Sequence, residues 1–393
     1  MNAAPHPSPA LPSRRSLLGG LLAGAALAAA PALAAPARAT ARRTPSAGPT
    51  ATRTLLIGTY TSAEGGGTGI GTASYDTATG AITPGPVITG VENPSYLALH
   101  PSGGTVYAVA EQDAGAVTAV ALAPDGTYEV LGTRPTGGSG PTHLSVHPSG
   151  RWLLSANYTS GSVAVHPIAE DGSLGEHTDL VTHSSPSPGP GQNGPHAHQI
   201  VTSPDGGHIL AVDLGTDTVY TYRLDESAGT LTEVSRAVLA PGSGPRHLTF
   251  HPGGRSAYLA CELDNTTVVC AYDAGSGTLT PGVGQSTGSG TGYPAQLVVT
   301  GDGSYAYLAN RGPNSLTRYA VEDGGAALRL LDTVPAGGDW PRQLALSPDS
   351  SLLFAANQRS STVTAFRVGS DGSLTSAGDP LPAPVAVCVL PLP

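Results

Sequence analysis

The chain has 393 residues, with 18 basic and 28 acidic side chains and a net charge of −10. Every basic side chain is arginine, which excludes a Schiff-base lysine and a phosphate-loop lysine. Six arginines lie at or before Arg53 and no acid precedes Glu64, so the remainder sets 12 arginines against 28 acids, a balance that repels nucleic acid.

Residues 1–39 read as an export signal. Arg14-Arg15 precede an apolar run from Leu17 to Ala30, followed by the small-x-small segments Ala32-Leu33-Ala34 and Ala37-Arg38-Ala39. The arginine pair marks the twin-arginine subtype, with its export machinery as partner and an extracytoplasmic, secreted product. The run of 14 residues is short for a membrane span, so no membrane anchor is expected after cleavage. Residues 40–53 read as a flexible linker, and 54–393 as one domain.

Within that domain one unit recurs six times, opening at Pro94, Pro141, Pro195, Pro245, Pro294 and Pro341, at intervals of 47, 54, 50, 49 and 47 residues. Each copy, numbered one to six below, runs through a short apolar strand to a tight turn such as His100-Pro101-Ser102-Gly103, then into a second, β-branched or aromatic strand such as Val106-Tyr107-Ala108-Val109. A third strand and an outer strand follow. A period near 50 with four strands is that of a propeller blade. Residues 54–83 supply a second strand at Leu55–Tyr60, a third at Gly69–Tyr75 and an outer strand from Gly80, but no first strand; Pro384–Leu390 supplies the missing one. A blade shared between the termini closes the ring and removes the open sheet edge. The expected fold is therefore all-β, a seven-bladed β-propeller of four-stranded antiparallel blades. Cys261 and Cys270 flank a hairpin and could pair across it or remain buried thiols.

The start of each first strand and the end of each second strand must share one face, opposite the tight turns. Two columns of residues can be read there. The first holds Ser95, Thr142, Arg246, Ala295 and Arg342. Copy three is two residues longer before its turn, which aligns His198 with Arg246 and leaves His196 in the insertion. The next residues are Tyr96, His143, Gln199, His247, Gln296 and Gln343. The second column holds the pairs Ala110-Glu111, Asn157-Tyr158, Asp213-Leu214, Cys261-Glu262, Asn310-Arg311, Asn357-Gln358 and Thr59-Tyr60. Asn157, Asn310 and Asn357 also suit a plain strand-ending turn. Glu262 and Arg311 instead bring opposite charges to one mouth, as a site or as a structural ion pair.

The chain resembles the lactonase family of seven-bladed propellers, which includes bacterial 6-phosphogluconolactonase and carboxy-cis,cis-muconate cyclase. The resemblance covers nearly everything after the signal and rests on Asn93-Pro94-Ser95-Tyr96-Leu97, Ala156-Asn157-Tyr158, Gly194-Pro195-His196-Ala197-His198, Gly244-Pro245-Arg246-His247, Glu262-Leu263, Asn310-Arg311-Gly312, Pro341-Arg342, Ala356-Asn357-Gln358 and the ending at Cys388. It implies an active site at His196, His198, Arg246, Glu262 and Arg311, and a small-molecule lactone as substrate. Ala295-Gln296 and Ala110-Glu111 depart from the family's usual Ala-Glu and Asn-Glu.

Lactone hydrolysis needs a base for water, donors for the oxyanion and a cation for an acidic group. Glu262 or His198 is the candidate base, and Arg246 and Arg311 the candidate oxyanion and anion donors. His196, His247, Arg342, Asn157, Asn310 and Gln358 are candidate substrate-binding residues. Gly284-Gln285-Ser286-Thr287-Gly288 fits the Gly-x-Ser-x-Gly spacing, but it follows an outer strand with no helix expected after it, so a serine-nucleophile elbow is not expected. No cofactor or catalytic metal is expected, although His196 and His198, two apart on a strand, could face one side. His100, His147 and His251 are expected to be turn residues on the far face. A muconate-type cycloisomerase and a noncatalytic surface-binding propeller are the alternatives.

Overall fold

The computed structural model describes residues 51–123, 126–184, 189 and 192–393. The export signal and nearly all of the linker lie outside the described residues. The described residues form seven antiparallel sheets of four strands, in sequential order in all but the closing blade; the sixth also gains a short fifth strand at Leu381–Pro382. Blade one, for example, comprises Leu97–Leu99, Thr105–Ala110, Ala116–Leu122 and Tyr128–Pro135. In the closing blade Ala386–Pro391 pairs antiparallel with Thr52–Thr59, placing Cys388 opposite Gly58. Its outer strand begins at Ile82, because Gly80 takes a left-handed turn (φ 76°) where the pattern had suggested strand.

Five of the second strands are buried along their whole length, and Thr52–Thr59 and Tyr305–Arg311 along all but their first residues, because each sheet is covered on both faces by its neighbours. This explains their continuous apolar runs, in contrast to the exposed outer strands. The core is divided accordingly into seven clusters, one per blade interface, including Leu55, Tyr75 and Phe354 at the ring closure. Buried tyrosines in the second strands tie blades together: the hydroxyls of Tyr107, Tyr258 and Tyr307 donate to the carbonyls of Gly172, Gly325 and Gly372 in the following blade, at 2.9, 2.9 and 3.1 Å.

All three cysteines are free and buried. The hairpin register sets Cys261 opposite Thr266 and Cys270 opposite Ala257, four ladder positions apart, too far for a disulfide.

Candidate active site

Six of the seven innermost strands carry a bulge near their start; Leu97–Leu99 of blade one pairs in plain register. The register slips between Pro141 and His143, Ala197 and Gln199, Pro245 and His247, Pro294 and Leu297, and Pro341 and Gln343. The closing blade slips between Gly58 and Thr59, opposite Val387. A bulge leaves one residue unpaired and re-aims its side chain. The unpaired residues are Thr142, His198, Arg246 and Arg342, the first column read from the sequence. With Ser95, Tyr96, Glu111, His247, Gln296, Gln343 and Val387 they line a narrow pocket at the channel mouth.

The mouth contains two charged clusters. In the first, one carboxylate oxygen of Glu262 lies 2.5 Å from Arg311 Nη2 and 3.1 Å from Arg246 Nε. Burial alone would raise the Glu262 carboxyl's pKa, but Arg311 and Arg246 outweigh it and hold the group below its ordinary value. In the second, Tyr60 Oη donates to both oxygens of Glu111 at 2.9 and 2.8 Å, and Ser95 Oγ donates at 2.5 Å. Arg342 Nη2 donates to Tyr60 Oη at 3.0 Å and lies 3.9 Å from Glu111. Burial lowers the Arg342 pKa, and Tyr60, Glu111 and Glu262 more than restore it.

Arg246 stands between the clusters and is 2 % exposed. Its Nε is close to Glu262 but off the hydrogen-bonding line, and its Nη1 has no partner. Burial, then Arg311 and Arg342, disfavours its charged form. An entering anion would therefore meet an undercompensated cation with free donors. His198, 5 % exposed, has an unpartnered Nδ1. Burial, followed by Arg246, pushes its pKa well below the ordinary value, so the imidazole is neutral near pH 7. His247 and His143 are lowered for the same leading reason, His143 to about 3. With Tyr96 these rings plug the channel: Tyr96 to His143 is 4.2 Å, His143 to His247 is 5.5 Å and His198 to His247 is 5.2 Å between centroids.

His198 and His196 do not form the matched pair that simple alternation suggests, because the bulge interrupts the pleat between them. His196 stacks on Tyr158 at 4.5 Å, and its two ring nitrogens meet the Tyr158 carbonyl at 2.9 Å and Asn193 Oδ1 at 2.7 Å. Asp213 anchors this segment: its carboxylate accepts from the amides of His196, Gly215 and Thr216 and meets His183 Nδ1 at 2.6 Å. Among the described residues no group of three or more His, Cys, Asp or Glu could hold a metal ion.

Asn157 and Asn310 turn toward their own hairpins. Asn157 Nδ2 donates to Ser162 Oγ at 3.1 Å, and Asn310 Nδ2 to Thr317 Oγ1 at 2.8 Å. Gln358 is anchored through its amide to the Trp340 carbonyl. Tyr60, Glu111 and Ser95 were not singled out from the sequence, although Tyr60 and Glu111 each occupy the second place of a column pair, as Glu262 and Arg311 do.

Residues 54–391 match the family model described as lactonase, 7-bladed beta-propeller. The chain is 32% identical to a 6-phosphogluconolactonase of Bacillus subtilis (strain 168) over 292 residues, covering 72% of this chain and 81% of that one. It superposes on the periplasmic gluconolactonase PpgL of Pseudomonas aeruginosa with a TM-score of 0.82 and 30% identity, covering 87% of this chain and 99% of that one. A putative 6-phosphogluconolactonase of Bacteroides fragilis gives a TM-score of 0.80 at 30% identity, covering 86% and 98%.

Proposed function

Since the chain belongs to the lactonase family of seven-bladed propellers, we propose that it is an exported hydrolase that opens a sugar or other small acidic lactone with water activated at the propeller mouth. The observation that carries this reading is that one pocket brings together a buried base without a partner, His198 Nδ1, and a buried donor without a partner, Arg246 Nη1.

In the reaction, water adds to the lactone carbonyl carbon as His198 Nδ1 accepts its proton. The carbonyl oxygen becomes an oxyanion facing Arg246, and a carboxylate or other acidic group of the substrate is held by Arg311 or Arg342. The tetrahedral intermediate collapses, the ring carbon–oxygen bond breaks, and the departing ring oxygen takes the proton back from His198 to give the hydroxy acid. Glu262 is a poor base because its charge already serves Arg311 and Arg246; its role is to hold these two guanidiniums in place. Glu111, held by Tyr60 and Ser95, does the same for Arg342. The depressed pKa of His198 keeps the base form present at neutral pH, so turnover is expected to persist as pH falls through 6.5.

Export is supported by Arg14-Arg15 ahead of the apolar run and by the periplasmic designation of the Pseudomonas relative. Cell fractionation and the N-terminal sequence of the mature protein test it. A pH-stat panel of unphosphorylated sugar lactones, 6-phosphogluconolactone and muconolactones tests the activity. Turnover of sugar lactones is expected. Reaction confined to muconolactones would turn the assignment to a cycloisomerase, and inactivity on the whole panel would turn it to a binding propeller.

A further inference from the structure

The blades provide an internal control for one residue at the mouth. In six of them the second-column residue donates its amide to the carbonyl at one equivalent position: Glu111 to Asn93, Tyr158 to Gly140, Leu214 to His196, Glu262 to Gly244, Gln358 to Trp340 and Tyr60 to Val385. Five of these acceptors are left-handed, with φ of 40°, 60°, 58°, 66° and 43° at Asn93, Gly140, Gly244, Trp340 and Val385. Glycine and asparagine adopt that conformation readily, whereas a bulky side chain there is strained. Trp340 is the one aromatic residue of the five, at a place where two sister blades use glycine. Strain that persists at a functional mouth points to what the side chain does there.

The Trp340 indole stands next to the first charged cluster. Arg311 lies 5.7 Å from its ring centre, and the exposed Arg359 covers it at 3.4 Å. Tyr293, 47 % exposed, lies 6.0 Å away at a 45° tilt, and its carbonyl accepts from Arg311 Nε at 3.2 Å. The Trp340 ring thus borders the guanidinium assigned to an acidic group, and the Tyr293 ring lies beside the indole. A pyranose or lactone ring presents polarised C–H bonds on one face, and aromatic faces, negative at their centre, attract them.

We infer that Trp340 and Tyr293 form a stacking subsite for the C–H face of a sugar ring, placing the lactone beside Arg311. Trp340 supplies binding, not chemistry, and the exposed Arg359, which lies over the indole, swings to the rim when the sugar ring stacks. The inference rests on the lactonase reading above and extends it to the ring-shaped part of the substrate.

Trp340→Gly installs the residue that two other blades already carry, so the fold is expected to survive with little change in Tm. On glucono-1,5-lactone, KM should rise about tenfold with kcat changed less than about threefold, and Trp340→Phe should restore most of the loss. The chain has two tryptophans, and Trp152 sits in the core between blades two and three. Titration with gluconolactam, a ring analogue that resists hydrolysis, should therefore change the emission of the wild type saturably and leave Trp340→Gly unchanged. Wild-type turnover combined with an unaltered KM in Trp340→Gly and no emission change would overturn the subsite alone. A fall in kcat at constant KM would also overturn it, by making Trp340 a support for Arg311. A wild type that opens no lactone yet binds the lactam through Trp340 would retain the subsite and overturn the reaction. Neither turnover nor binding would overturn both.

Discussion

The two ends of the innermost strands obey different rules. At the tight-turn end the blades repeat one another. His100 Nδ1 bonds Ser102 Oγ at 2.7 Å, His147 Nδ1 bonds Ser149 Oγ at 2.8 Å, and His251 Nδ1 accepts the Gly253 amide at 3.0 Å. At the mouth the same strands place Ser95, Thr142, His198, Arg246, Ala295, Arg342 and Val387 at equivalent positions, no two neighbours alike. Repetition at one end makes each blade close on itself. Divergence at the other gathers charges that no single blade could hold, since Glu262 meets arginines from its own blade and the next, and Glu111 meets Tyr60 from the blade that closes the ring. The contrast separates what the fold requires from what the chemistry requires.

Substitutions at the mouth should affect activity, and those at the turn end stability. The largest combined loss of activity and stability is expected for Glu262→Gln, which leaves Arg246 and Arg311 facing each other without a counter-charge. It should lower lactone kcat/KM by about 10²-fold, in line with losing one preorganised electrostatic group, and lower stability by about 2 kcal/mol, measured by steady-state kinetics and urea unfolding. Unchanged turnover would place the chemistry elsewhere.

A second prediction concerns pH. Folding keeps His143, His198 and His247 neutral, with His143 at about 3, while in the unfolded chain they titrate near 6.5. Below pH 6.5 the unfolded state therefore takes up protons that the folded state refuses, so stability is fully present above 6.5 and falls as the pH drops. The slope is up to about 1.4 kcal/mol per pH unit for each histidine. Thermal melts between pH 7.5 and 4.5 should show this decline, and His143→Gln should flatten it. A Tm that rises on acidification would contradict the burial of these rings.

Smaller effects belong to the scaffold. Tyr107→Phe removes the hydroxyl that reaches Gly172 and should cost about 1 kcal/mol in urea unfolding while leaving kcat/KM intact. His100→Ala should cost still less, within about 1 kcal/mol, again with unchanged kinetics. A marked loss of activity in either would show that the two ends are coupled.

Seven blades, four strands each and the split closing blade were legible because proline spacing and strand periodicity are local signals. The first mouth column was legible as a register, but the reason Arg246 and His198 point inward was not: a bulge at each of these two residues frees it from the pleat. In the second column, Glu262 and Arg311 stood out by charge, whereas Asn157 and Asn310 occupy the first place of each pair, which strand alternation turns into the blade. Tyr60 and Glu111 share the inward place with Glu262. They meet one blade apart, as Glu262 and Arg311 do; what depends on ring closure is the contact of Tyr60 with Arg342 across 282 residues, which no local pattern encodes.

The central claim is that the free donor of Arg246 stabilises the oxyanion at this mouth. Arg246→Met keeps Glu262 paired with Arg311, so the fold should be retained. The deciding measurement is pH-stat kinetics on glucono-1,5-lactone alongside a thermal melt. A fall of 10²-fold or more in kcat/KM at nearly constant Tm is predicted. Turnover within about threefold of the wild type would contradict the account.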